Sequence, residues 1–219
     1  MATPSHDQSE DQRHNPRPIV YSFAGLVPVV HPESFIHPTA VLIGDVIVGR
    51  GCYIGPGASL RGDFGRLTIG DGANVQDNCV LHCFPGKDTL IETDGHIGHG
   101  AILHGCTIRK NALVGMSAVI MDGAEIGESS FVAAMSFVPS AFCVPPRTLV
   151  AGIPARIRRE LTDEDIAWKC QGTREYQNLA VRSLATCRAV PALSAPEPNR
   201  PRLPETDTKP LQKARRKKS

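Results

Sequence analysis

The chain predicts an all-β fold: a parallel β-helix of hexapeptide repeats with triangular coils, followed by a C-terminal α-helix. Aliphatic residues open six-residue units in successive runs. They are Ile36, Leu42, Val48, Ile54 and Leu60, then Ile69, Val75 and Leu81, then Ile97 and Leu103, then Ile108, Val114, Ile120, Ile126, Val132 and Val138. The fifth place of the unit holds Ala40, Val46, Cys52, Ala58, Ala73, Cys79, Ala101, Ala112, Ala118, Ala124, Ser130 and Ser136. The openers build one buried ladder per face, and the small residues let the chain turn each corner. Three units therefore close one coil. The strands of a sandwich keep no such beat over about a hundred residues.

Residues 1–17 are polar and lack the apolar centre of a signal peptide, so they read as a disordered extension of a cytoplasmic protein. No run of about eighteen apolar residues suggests a membrane span. The β-helix is expected over residues 18–144, entered through PIVYSFAGLVPVVHPESF, an irregular strand studded with prolines. His31 and His37 each neighbour a proline there and read as turn residues.

Two interruptions break the beat. Three extra residues between Leu60 and Ile69 predict a bulge at 63–66, and four extra between Leu81 and Ile97 predict an inserted loop over 83–96. After Val138, Pro139, Pro145, Pro146 and Pro154 are expected to end regular pairing. Residues 145–188 then hold a connection and a helix. Thr162 caps it, Asp163, Glu164 and Asp165 complement its dipole, and Ile166, Ala167, Trp168, Tyr176, Leu179, Ala180 and Leu184 offer an apolar stripe.

Residues 189–219 read as a disordered Pro-rich and basic tail. Its last eleven residues hold six basic side chains and no acid, so the formal charge of +2 leaves −4 on the rest of the chain. A short basic run of this kind reads as a solvated end rather than a nucleic-acid contact. The seven cysteines lack CxxC spacing, which argues for free thiols in a reducing compartment and against a cysteine metal site.

The chemistry gathers in IGHGAILHGC, residues 97–106. Leu60 to Leu81 is one coil plus three residues, and Leu81 to Leu103 is one coil plus four. Arg61, His82 and His104 therefore share one outward column. Coils stack about 4.8 Å apart and zinc–nitrogen bonds are about 2.0–2.1 Å, so His82 and His104 can hold one metal together. The same subtraction sets Asp77 beneath His99 and Gln76 beneath Gly98, one face away. On a convex prism His99 reaches that metal only from a neighbouring subunit, which predicts a homotrimer with a three-histidine site and an open fourth position. Zinc is the expected metal, with Fe2+ or Co2+ as other acceptors of three nitrogens. His96 does not match the column and is left out.

RGD at 61–63, QDN at 76–78 and IGHGAILHGC resemble the gamma-class carbonic anhydrase superfamily. VVHPESFIHPTAVLIGDVIVG, ALVGMSAVIMDGAEIGE and AWKCQGTREYQ look like its branch of phenylacetate-degradation and carnitine-operon hexapeptide proteins. The resemblance covers about residues 19–187. It implies a left-handed β-helix trimer with His82 and His104 from one subunit and His99 from the next. It also implies Arg61 paired with Asp77 or Asp63 across the interface, and Gln76 holding the metal's water.

The carbonic anhydrases of this class carry glutamates for proton export where this chain has Phe64 and CFPGK, which argues against fast CO2 hydration. The branch implies a metal-dependent hydrolase of acyl-CoA thioesters, attacking through a metal-bound hydroxide at the trimer interface. Lys87, Arg156, Arg158 and Arg159 are candidates for the anionic CoA arm. Reversible CO2 hydration and a non-catalytic stimulator of a CoA-transfer enzyme are the competing expectations, with a hexapeptide acyltransferase behind them.

Overall fold

The computed structural model describes residues 17–204. The expected N-terminal extension, apart from Arg17, and the last fifteen residues of the basic tail lie outside that range. Parallel pairing puts Leu42, Leu60, Leu81, Leu103, Ile120 and Val138 on a first face. Val48, Ile69, Ile91, Ile108, Ile126 and Val144 form a second. Ile36, Ile54, Val75, Ile97, Val114, Val132 and Val150 form the third. All are buried, as are the small corner residues. The result is a left-handed parallel β-helix of about seven turns. Strands Ile19–Tyr21 and Val29–Val30 pair in parallel with Val41–Val48 and close its lower end.

Two local expectations are corrected. The beat resumes inside the expected loop: Thr89–Ile91 pairs with Leu67–Ile69 below and Thr107–Ile108 above. The insertion is therefore confined to 83–88, because all four extra residues precede Ile91. Leu103 and Ile108 are only five residues apart. Gly105, at φ 56°, tightens that corner, and Cys106, 1% exposed, takes the small inward place.

The solenoid also continues beyond 144. Cys143–Val144 and Thr148–Gly152 add strands to the second and third faces, and Ala155–Glu160 folds back antiparallel on the last. Pro139, Pro145 and Pro146 fall between strands, where no ladder amide is lost. The expected bulge at 63–66 is present within the strand Ser59–Ile69: Gly44 pairs with Gly62 and Val46 with Leu67, so residues 63–66 lie opposite Asp45 alone. Gly62 permits that approach, since a Cβ there would lie 2.3 Å from the Asp45 carbonyl oxygen. All seven cysteines are free, and Cys52, Cys79, Cys83 and Cys106 are buried.

The C-terminal helix spans Asp163–Thr186 and begins in a capping box between Thr162 and Asp165. Of the apolar stripe read from the sequence only Ala180 is fully buried, and the other buried helix residues are Asp165, Lys169 and Thr173. The surface beneath dictates this, because it offers polar partners. Lys169 Nζ donates to the Asp94 carbonyl and, at 2.8 Å, to Asn111 Oδ1. Gln177 donates to the Gly72 carbonyl at 3.1 Å and to Asp94 Oδ1 at 2.9 Å. Thr173 Oγ1 lies 3.3 Å from His96 Nδ1. Leu184 stays 41% exposed. Among the described residues no helix is long and apolar enough to cross a membrane.

Burial, reinforced by the nearby Lys169 charge, lowers the His96 pKa from 6.5 to about 3. The unfolded chain takes up a proton as pH falls through 6.5, while the folded ring stays neutral. This contribution to stability is therefore intact above pH 6.5 and is lost progressively between 6.5 and 3. Urea unfolding at fixed protein concentration across pH 6.5 to 4 should show a slope against pH shallower in His96→Phe than in wild type by up to one proton, roughly 1.4 kcal/mol per pH unit. Equal slopes would contradict a buried neutral His96.

Candidate metal centre

The first face carries His82 and His104 in direct register, His104 on the coil above His82. Arg61 follows Leu60, the register partner of Leu81, and so stands below them in the same column. Each imidazole is held by a carboxylate on its outer nitrogen. His82 Nε2 lies 2.9 Å from Asp63 Oδ1, and His104 Nδ1 lies 2.7 Å from Asp122 Oδ1. A carboxylate partner fixes the proton on the nitrogen facing it, leaving the opposite nitrogen with its lone pair.

Those opposite nitrogens, His82 Nδ1 and His104 Nε2, face each other at 3.3 Å. Two lone pairs this close repel unless a proton or a metal cation lies between them. Two bonds of about 2.0–2.1 Å at a tetrahedral centre place their nitrogens about 3.3 Å apart, so the donor pair fits zinc.

Arg61 contacts His82 Nε2 at 3.2 Å and Asp63 Oδ2 at 3.6 Å within its own chain. The surroundings are aromatic. The Phe64 ring centre lies 5.1 Å from that of His82, and the Phe84 centre lies 4.9 Å from that of His104. Both phenylalanines are more than half exposed.

His99 stands on the corner that leads from the third face to the first. Its Nδ1 lies 2.9 Å from Asp77 Oδ2, its Nε2 lies 3.4 Å from the Tyr176 hydroxyl, and its side chain is 45% exposed. Among the described residues no group of three potential ligands comes together in one chain. The chain thus joins two of the three expected ligands and carries the third on a separate corner.

Gln76, expected to hold the metal's water, is engaged within the chain. It is 3% exposed, its Oε1 accepts from the His99 backbone N–H at 3.2 Å, and its Nε2 donates to Asn74 Oδ1 at 2.9 Å. The second amide hydrogen meets His96 Nε2 at 2.8 Å. Of the residues expected to meet a CoA arm, Arg159 is paired with Asp165 at 2.6 Å, while Arg156 and Arg158 lie on the terminal hairpin and donate to nearby backbone carbonyls.

Sequence reasoning missed Asp122 and His96. Asp122 lies eighteen residues, one regular coil, after His104, but the short unit ending at Ile108 shifts the register by one. His96 is the register partner of Asn74 on the third face, and its role depends on the helix that covers it.

Residues 28–62 match the family of the bacterial transferase hexapeptide (six repeats). The carnitine operon protein CaiE of Salmonella agona is 56% identical over 191 residues, covering 87% of this chain and 96% of its own. That of Citrobacter koseri is 59% identical over 186 residues, covering 85% and 94%. Among solved structures, a Bacillus cereus protein provisionally described as an acetyltransferase matches with 38% identity and a TM-score of 0.76, over 77% of this chain and 98% of its own. A hexapeptide transferase family protein from Anaplasma phagocytophilum matches with 38% identity and a TM-score of 0.72, over 74% and 96%. With more than half its residues identical across most of its length, this chain belongs to the family of the carnitine operon protein CaiE, among the hexapeptide-repeat proteins.

Proposed function

We propose that the protein is a metal-dependent hydrolase of acyl-CoA thioesters, acting as a homotrimer with His82 and His104 from one subunit and His99 from its neighbour. The observation that carries this reading is the 3.3 Å separation of two carboxylate-oriented imidazole nitrogens. Zinc bound there supplies a Lewis acid and a water activated near neutral pH, and Fe2+ or Co2+ is accepted by the same nitrogens. The chain's own residues do the rest. Asp63 and Asp122 fix the two rings, and Arg61 steadies Asp63. Phe64 and Phe84 offer an apolar wall to an acyl group.

Assembly is favoured by exposed apolar side chains beside the His99 corner. Val80 and Ile102 stack in register, and Met116 and Met135 lie on adjacent coils, all at least 40% exposed. A contiguous apolar strip of this kind marks an interface. Thioester hydrolysis is favoured over CO2 hydration because both carboxylates touching the pair are spent on orienting imidazoles, and aromatic rings stand where a proton relay would begin.

A second reading, acyl transfer from CoA, is favoured by the Bacillus cereus and Anaplasma phagocytophilum structures, described as acetyltransferase and hexapeptide transferase. A role beside CoA-transfer enzymes of carnitine metabolism fits the name of the CaiE relatives.

Phenylacetyl-CoA hydrolysis and CO2 hydration, measured in parallel on metal-quantified protein, separate these readings. Wild type should hydrolyse the thioester and hydrate CO2 slowly. His104→Ala should lose both activities, and Phe64→Glu should raise CO2 hydration with little change in thioester turnover. Fast CO2 hydration without thioester turnover contradicts the proposal, and CoA release only when an acyl acceptor is added supports transfer instead.

Arg61→Ala should lower metal affinity and weaken assembly, while Asp122→Ala should lower metal affinity by about 10- to 100-fold as an outer-shell loss. Metal titration with sedimentation at low protein concentration checks both. A fully metallated, fully trimeric Arg61→Ala protein would show that Arg61 is an ordinary surface residue.

A further inference from the structure

We infer that the C-terminal helix is a working part of the ligand site: through Thr173, the buried ring of His96 and the amide of Gln76, it sets the backbone from which His99 projects. The inference rests on the metal-site reading above and assigns His96 as a positioning residue.

His99 sits between Gly98 and Gly100, the second at φ 70°, so local side chains do little to stiffen the backbone that presents it. The rigidity comes from outside. The His99 N–H requires an oxygen, which fixes the Gln76 amide with Oε1 toward it at 3.2 Å, and Asn74 Oδ1 requires the amide nitrogen at 2.9 Å. The amide nitrogen is then the atom left facing His96 Nε2 at 2.8 Å, so that ring nitrogen must accept. The imidazole proton therefore resides on Nδ1, which lies 3.2 Å from the Asn74 amide nitrogen and 3.3 Å from Thr173 Oγ1; of these two only the hydroxyl oxygen can accept it.

The neutral tautomer protonated on Nδ1 satisfies the Gln76 and Thr173 contacts together. A protonated His96 would present a second N–H to an amide that can only donate. Burial holds the ring in the neutral form.

The far end of this strut is anchored by the helix. Lys169, on the turn before Thr173, donates to the Asp94 carbonyl and Asn111 Oδ1, and Gln177, on the turn after, donates to Gly72 and Asp94. Thr173 is thus pinned from both sides against the third face and cannot drift from His96. Removing the ring takes away one of the three bonds that hold the Gln76 amide and leaves an amide hydrogen unpaired, which loosens the support of the His99 backbone.

The test uses Co2+ alone as a probe of the full-length trimer, read by its visible ligand-field spectrum and by titration, with sedimentation and circular dichroism on the same samples. His96→Phe should bind Co2+ about 10- to 100-fold more weakly and with an altered spectrum. Thr173→Val should shift both readouts in the same direction by a smaller amount, and Thr173→Ser should restore them. If His96→Phe fails to assemble, the Thr173→Val and Thr173→Ser pair carries the test alone. Wild-type affinity and spectrum in assembled His96→Phe, or in Thr173→Val, would overturn the inference. A wild type without any histidine-ligated Co2+ spectrum would overturn the metal-site reading itself, and the inference with it.

Discussion

The parallel hydrogen-bond ladder between coils is the constraint on which everything else depends. Each coil can stack on the next only if its aliphatic opener meets the opener beneath, so Leu81 lies on Leu60 and Leu103 on Leu81 despite three and four extra residues between them. Extra residues must leave the prism at a corner, and a missing residue must be absorbed there. That requirement turns distances along the chain into positions in space. His82 and His104 become neighbours for the same reason that their preceding leucines are buried. Side chains on a rigid repeat keep fixed heights, which suits a site whose donor atoms must be held within a few tenths of an ångström.

Given that placement, carboxylates decide what the histidines can do. An exposed imidazole pair would rotate, share a proton and face solvent. Here Asp63 and Asp122 each take one nitrogen, and the remaining nitrogens converge. The same logic recurs on the third face with different atoms: Asp77 takes His99 Nδ1, and Gln76 holds the His99 backbone. The aromatic rings beside the first pair lower local polarity and strengthen the electrostatic hold of any cation bound there.

The periodicity made the solenoid, its faces and the His82–His104 column legible, because burial of a ladder leaves a strict mark on the sequence. It concealed the units where that mark is weak. Ile91 follows a loop and opens a unit whose corner is Gly95, and Cys106 stands in a unit one residue short, so neither fits a fixed count. The helix was legible from Thr162 and the acids after it, but of its buried side only Ala180 was. Docking there is polar, and Lys169 and Thr173 carry no hydrophobic period. Asp122 and His96 were hidden for related reasons, one by the shifted register and the other because its partners come from Gln76, twenty residues away, and Thr173, seventy-seven away.

Sharing of the site between subunits is the central claim, and mixing two defective chains tests it most directly. His104→Ala and His99→Ala homotrimers each lack one ligand at every site. When the two are unfolded together and refolded one to one, random assembly should rebuild about a quarter of the sites, each joining the intact first face of one variant to the intact His99 of the other. Recovery of that fraction of bound metal is the predicted result. Full metal binding by the His99→Ala homotrimer, or none in the mixture, would contradict the shared site.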